Sequence, residues 1–121
     1  ESHGDPIMAF TTVLEYVLND LGRKETTMFF PELWVLANRD DKASHEMRKL
    51  YDTYMNVLIG LINNIRPDLN EKRVKEIALF ICASLEGQTV FIGHETTHKQ
   101  HRKALKEIAL KTMINLVIET D

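Results

Sequence analysis

Apolar residues return every three or four positions along almost the whole chain, and few stretches alternate as strands do, so the pattern predicts an all-helical protein. A first helix is expected over residues 6–21. Asp5 offers an N-cap, Pro6 suits the first helical position, and Ile7, Phe10, Leu14, Val17, Leu18 and Leu21 share a face. Gly22 is read as a left-handed stop. A second helix lies within residues 25–39; Phe29, Phe30, Leu33, Trp34, Leu36 and Ala37 make it strongly apolar, and Pro31 either opens or kinks it. A long third helix, residues 42–65, carries Met47, Leu50, Tyr51, Tyr54, Leu58, Leu61, Ile62 and Ile65 on one stripe and stops at Arg66-Pro67-Asp68.

The fourth helix follows an Asn70 N-cap and runs to Phe91 and Ile92, closed by Gly93. Its residues 77–83 are apolar all round, which implies burial on more than one side, and Gly87 is read as a close packing point. The fifth, residues 97–119, has one face of Leu105, Ile108, Ala109, Thr112, Met113, Leu116 and Val117 and a second strip of Leu110, Ile114 and Ile118. One neighbouring core does not need both, so a partner chain is expected to cover the surplus.

Composition narrows the class. A chain of 121 residues, 44% hydrophobic and 27% charged, reads as one soluble domain over residues 1–121, large enough to bury a core without disulfides or structural metal. A net charge of −3 argues against a DNA grip by this segment, because phosphate binding calls for a basic excess. The single cysteine, Cys82, sits in an apolar run and reads as a small buried hydrophobe, compatible with a reducing cytoplasmic setting. Apolar runs are too short to span a bilayer, no secretory signal pattern is found, and polar residues 1–4 read as an expression scar or the end of a removed segment.

One segment is more specific. Glu32-Leu33-Trp34-Val35-Leu36-Ala37-Asn38-Arg39-Asp40 is followed by a long helix with Leu50-Tyr51-x-x-Tyr54, a Pro-Asp turn, an Ala-containing helix with Ser84-Leu85-Glu86-Gly87, and an amphipathic last helix. This order resembles the C-terminal effector domains of tetracycline-repressor-like (TetR-like) transcriptional regulators, over most of the chain. The resemblance implies a cavity for a small-molecule effector and a homodimer in which the last two helices form a four-helix interface with a second copy. It also implies that an N-terminal helix-turn-helix reads DNA. No such motif is present here, so DNA contact is expected only through a domain outside this chain.

The aromatic set Phe29, Phe30, Trp34, Tyr51, Tyr54, Phe80 and Phe91 falls on three consecutive helices and points to an apolar pocket between the second, third and fourth, with polar groups drawn from Tyr51, Tyr54, Asn56, Glu86 and Gln88. The expected ligand contacts are Phe30, Trp34, Tyr51, Tyr54, Leu58, Phe80 and Glu86; the expected dimer contacts are Gln88, Phe91, Leu110, Met113, Ile114 and Val117. No nucleophile motif or phosphate loop is present, and neither catalysis nor a cofactor is expected. Two rival readings stand beside this one. His94-Glu95-Thr96-Thr97-His98 satisfies H-E-x-x-H, which on a continuous helix places two imidazoles for zinc with Glu as general base and His101 or Glu119 as third ligand; Gly93 and the threonine pair instead suggest a His-rich turn. The other rival is a helical dimerisation module with no pocket. The basic residues Lys99, Arg102, Lys103, Lys106 and Lys111 read as a solvated face.

Overall fold

The computed structural model describes residues 4–121, so the polar start at residues 1–3 lies outside the described residues. Five α-helices, α1 (Pro6–Asp20), α2 (Lys24–Ala37), α3 (Asp41–Ile65), α4 (Glu71–Ile92) and α5 (Arg102–Glu119), make up the fold, with one 3₁₀ turn at Lys99–His101 and no strand among the described residues. The starts follow local chemistry: the carboxylates of Asp5 and Asp40 and the Asn70 side chain accept hydrogen bonds from N–H groups of the first turns of α1, α3 and α4. Pro31 lies inside α2, which continues through it.

The long helix α3 packs against each of the other four. Phe10, Leu14 and Leu18 of α1, Leu58 and Ile62 of α3, Val74, Ile77, Ala78, Ile81 and Leu85 of α4, and Ala109, Met113 and Val117 of α5 form one continuous buried core. Residues from four helices thus leave water together, each large side chain contributing about 1.5–3 kcal/mol. The second helix joins this core least: Thr26 is its one buried residue, while Phe29, Val35 and Leu36 remain exposed, so the strongly apolar reading of α2 does not translate into burial.

Two sequence expectations change here. Gly93 closes α4 as expected, and Gly22 follows α1, but Gly22 has no positive φ and is no left-handed stop. What they provide is room: a Cβ on Gly22 would lie 2.8 Å from the Arg102 side chain, and one on Gly93 would lie 2.5 Å from the Thr89 carbonyl oxygen. Arg102 reaches into this junction and donates to the carbonyls of Ile92 and Gly93 at 2.9 and 3.0 Å, capping the negative end of α4. The Thr27 hydroxyl accepts from the His94 N–H at 2.9 Å, so the first turn of α2 and the α4–α5 turn are tied together. Gly87, by contrast, has open space around it and is no packing point.

The outer surface of α4 and α5 is also revised. Met113 and Val117 are 3% and 0% exposed in the protomer's own core, so they offer no surface to a second chain. Of the strip expected to face a partner, Leu110 and Ile114 are partly buried against that same core, while Ile118 stays exposed. The apolar residues left outside include Phe91, 64% exposed, Val90, 60% exposed, Ile108, 59% exposed, and Phe80, 57% exposed. Residues 77–83 are apolar all round, yet Leu79 and Phe80 on one side of the run are exposed.

Candidate ligand cavity

The interior is not filled everywhere. A cavity of about 240 Å³ lies where α1, α2, α3 and α4 converge. From α3 come Tyr51, Tyr54, Val57 and Leu58, which recur at i, i+3, i+6 and i+7 on one face. From α4 come Cys82, Leu85 and Glu86; from α2, Thr26 and Phe30. The largest contribution is from α1, with Val13, Leu14, Tyr16, Val17 and Asp20, extended by Leu21. Sequence patterning had placed the pocket between the second, third and fourth helices. It missed α1 because Val13 and Tyr16 lie beside the Phe10–Leu14–Leu18 core stripe, on a flank that has no periodic signal of its own.

Polar chemistry is concentrated at one wall. The Trp34 indole Nε1–H donates to the Tyr51 hydroxyl at 2.8 Å, and that hydroxyl donates to Glu86 Oε1 at 2.7 Å. Trp34 does not line the cavity; it holds the tyrosine that does. Burial pushes Glu86 above the usual carboxylate range, and the Tyr51 hydrogen bond pulls it partly back. Burial, followed by the bond to Glu86, pushes the Tyr51 phenol upward, while the Trp34 donor opposes the shift. Tyr54 is raised by burial first and then by the charge of Glu86, and the Cys82 thiol is raised by the same two influences. Elsewhere in the lining Asp20 is already engaged: Oδ1 accepts from Arg23 at 3.1 Å and Oδ2 from Thr26 at 2.8 Å. The aromatic walls touch, with Phe30 and Tyr51 ring centroids 6.1 Å apart and Tyr51 and Tyr54 in an edge-to-face pair at 5.9 Å.

Of the expected ligand contacts, Phe30, Tyr51, Tyr54, Leu58 and Glu86 therefore meet around one void. Phe80 does not join them. It points out of α4 and flanks a shallow groove with Arg73, Glu76, Ile77, Leu116 and Thr120. Asn56 is exposed, and Gln88, two residues past Glu86 and outside the cavity lining, has its side-chain oxygen buried and without a hydrogen-bond partner among the described residues. Among the cavity-lining residues with polar or titratable side chains, sequence reasoning missed Tyr16, Asp20, Thr26 and Cys82.

The H-E-x-x-H segment takes no helical form. It falls between the end of α4 at Ile92 and the turn at Lys99–His101, and Glu95 has φ 61°, a left-handed conformation that reverses the chain. Its carboxylate accepts from Lys99 at 2.7 Å, a pairing that holds it below the usual carboxylate range. The His98 and His101 rings are 6.4 Å apart, and no group of three metal-ligating side chains converges among the described residues. No described helix is long and apolar enough to cross a membrane. Comparison with known proteins finds no matching family model, no similar curated protein and no similar solved structure.

Proposed function

We propose that this chain is the effector-binding and dimerisation domain of a TetR-like transcriptional regulator, in which a small apolar or amphipathic molecule occupies the cavity beside Tyr51 and Glu86. One observation carries the reading: an apolar void of about 240 Å³ with its polar groups held in place by the Trp34–Tyr51–Glu86 hydrogen bonds. Ligand sites combine apolar walls with a few fixed polar groups, and this volume lies just below their usual range of about 300–1,000 Å³, which suits a one-ring guest. The Glu32–Asp40 segment and the helix order supply the family reading. A pocketless dimerisation module is the weaker alternative, since it leaves the void without a purpose.

In this reading the regulator is a cytoplasmic homodimer. Phe80 and Phe91 stand three turns apart on one side of α4, and Phe80 borders a groove shared with Leu116 of α5, so the exposed aromatic side of α4 adjoins α5. An isologous contact would cover Phe80, Phe91 and Ile108 in both copies at once. Effector binding then acts by favouring one arrangement of the two protomers, and through it the spacing of DNA-reading domains outside this chain.

Calorimetric titration with small aromatic compounds tests the cavity. Val57→Phe, at the half-exposed rim, should fill the void and abolish binding while the urea midpoint holds. Unchanged affinity in that variant would refute the site. Sedimentation of the native chain and of Phe91→Glu tests the assembly: a dimer that the substitution dissociates supports it, and a native monomer at high concentration refutes it.

A further inference from the structure

Every ionisable group lining the cavity is neutral or negative. Glu86, Asp20, three tyrosines and Cys82 face it, and no Lys, Arg or His among the described residues does. The two carboxylates are not equivalent. Asp20 has its charge met by Arg23, which leans in from the exposed side. Glu86 forms no ion pair among the described residues; the Tyr51 hydroxyl reaches only Oε1. A carboxylate drawn out of water without a counter-charge is costly, and a guest that brings the counter-charge recovers that cost on binding.

We infer that the cavity selects a cation, an aromatic or branched alkyl ammonium of about one-ring size, with Glu86 as its counter-ion and the rings of Phe30, Tyr51 and Tyr54 as its walls. The aromatic faces give an ammonium a second attraction, since a cation within about 6 Å of a ring centroid is drawn to the π-face. Leu58, Val13 and Leu85 supply the apolar remainder, which makes the preferred guest amphipathic. A carboxylate or phosphate guest meets Glu86 with like charge and finds no cation within the walls. The raised Glu86 fits this arrangement: it marks a carboxyl whose charged form lacks compensation until a guest provides it. The assignment rests on the cavity being a binding site and adds to that reading the charge of what binds.

The test uses three probes of one shape: benzyltrimethylammonium, its uncharged isostere neopentylbenzene, and 3-phenylpropanoate. Affinities come from calorimetry and from emission of Trp34, the single tryptophan. The ammonium should bind at least about tenfold tighter than neopentylbenzene, and 3-phenylpropanoate more weakly than either. In Glu86→Gln the advantage of the ammonium should fall to within about threefold, with neopentylbenzene unchanged. Equal affinity for the ammonium and its isostere, or an ammonium affinity untouched by Glu86→Gln, overturns the inference and leaves the cavity standing; no binding of any of the three overturns both. A second measurement needs no variant. Acidification that protonates Glu86 should weaken the ammonium alone; the other titratable groups around the cavity are Tyr16, Tyr51, Tyr54, Cys82 and Asp20, the last of them paired with Arg23. An ammonium-to-isostere ratio that does not fall on acidification counts against the inference.

Discussion

Tyr51→Phe removes one oxygen and leaves the ring. In the native protein that oxygen accepts from Trp34 Nε1 at 2.8 Å and donates to Glu86 Oε1 at 2.7 Å. A net neutral hydrogen bond contributes about 0.5–1.5 kcal/mol and one to a charged group about 1.5–3 kcal/mol. Both partners are only partly buried, so water takes up part of the loss, and we expect a destabilisation of about 1–3 kcal/mol. With a urea slope of about 1–3 kcal/mol/M for a small domain, the unfolding midpoint should fall by about 1 M. The deficit should also depend on pH. Glu86 has its folded-state pKa above the ordinary carboxyl value, so its favourable contribution is fully present below that ordinary value and is lost as pH rises through the higher folded value. Removing the Tyr51 donor takes away the one influence that lowers Glu86, so the variant should suffer more at neutral pH than in acid. A double-mutant cycle with Glu86→Gln isolates the coupling, expected at about 1 kcal/mol. Equal deficits with Glu or Gln at position 86, and at neutral and acidic pH, would refute the account of these three residues as one hydrogen-bonded unit.

Gly93→Ala should cost about 1–3 kcal/mol, because overpacking is felt wherever the neighbours are backbone, and thermal unfolding will register it; the new Cβ would meet the Thr89 carbonyl and the Thr27 hydroxyl that binds His94. Arg102→Ala should cost about 1–3 kcal/mol in urea denaturation by stripping donors from two carbonyls at the end of α4, and Arg102→Lys should recover less than half of that, since an ammonium lacks the guanidinium's fork. Phe10→Ala, at a fully buried position, should cost about 3–5 kcal/mol by the same assay. A loss under about 1 kcal/mol there would mean the core had been misidentified.

The helices were legible because their causes are local. Asp5, Asp40 and Asn70 cap the N–H groups that follow them, and the spacing of Leu58 and Ile62, or of Ile77, Ile81 and Leu85, places each pair or trio on one face wherever the helix ends up. What periodicity cannot say is which neighbour each face meets. The strip of Leu110, Ile114 and Ile118 divides: Leu110 and Ile114 are partly buried against the protomer's own core, and Ile118 stays exposed, as do Phe80, Phe91 and Ile108. Gly22 and Gly93 were visible as punctuation, but their reason is the approach of Arg102 and Thr27 from distant parts of the chain, and no local pattern encodes that. The H-E-x-x-H spacing misleads in the same way: it specifies a face only on a helix, and Glu95 takes a conformation no α-helix contains.

The cavity raises a further question, which is why folding leaves it open. Protein interiors close-pack, and a flexible aromatic side chain beside a void of this size would ordinarily swing in to fill it. Tyr51 cannot do so without releasing Trp34 on one side and Glu86 on the other. Burial alone would be better served by Phe at position 51 and an aliphatic residue at position 86, since apolar replacements of buried polar groups are often neutral or stabilising. The hydrogen-bonded trio therefore trades some stability for a fixed wall. On this argument Tyr51→Phe should do more than weaken the fold: its freed ring should encroach on the void, and affinity for a one-ring guest should fall even under conditions where the variant is fully folded.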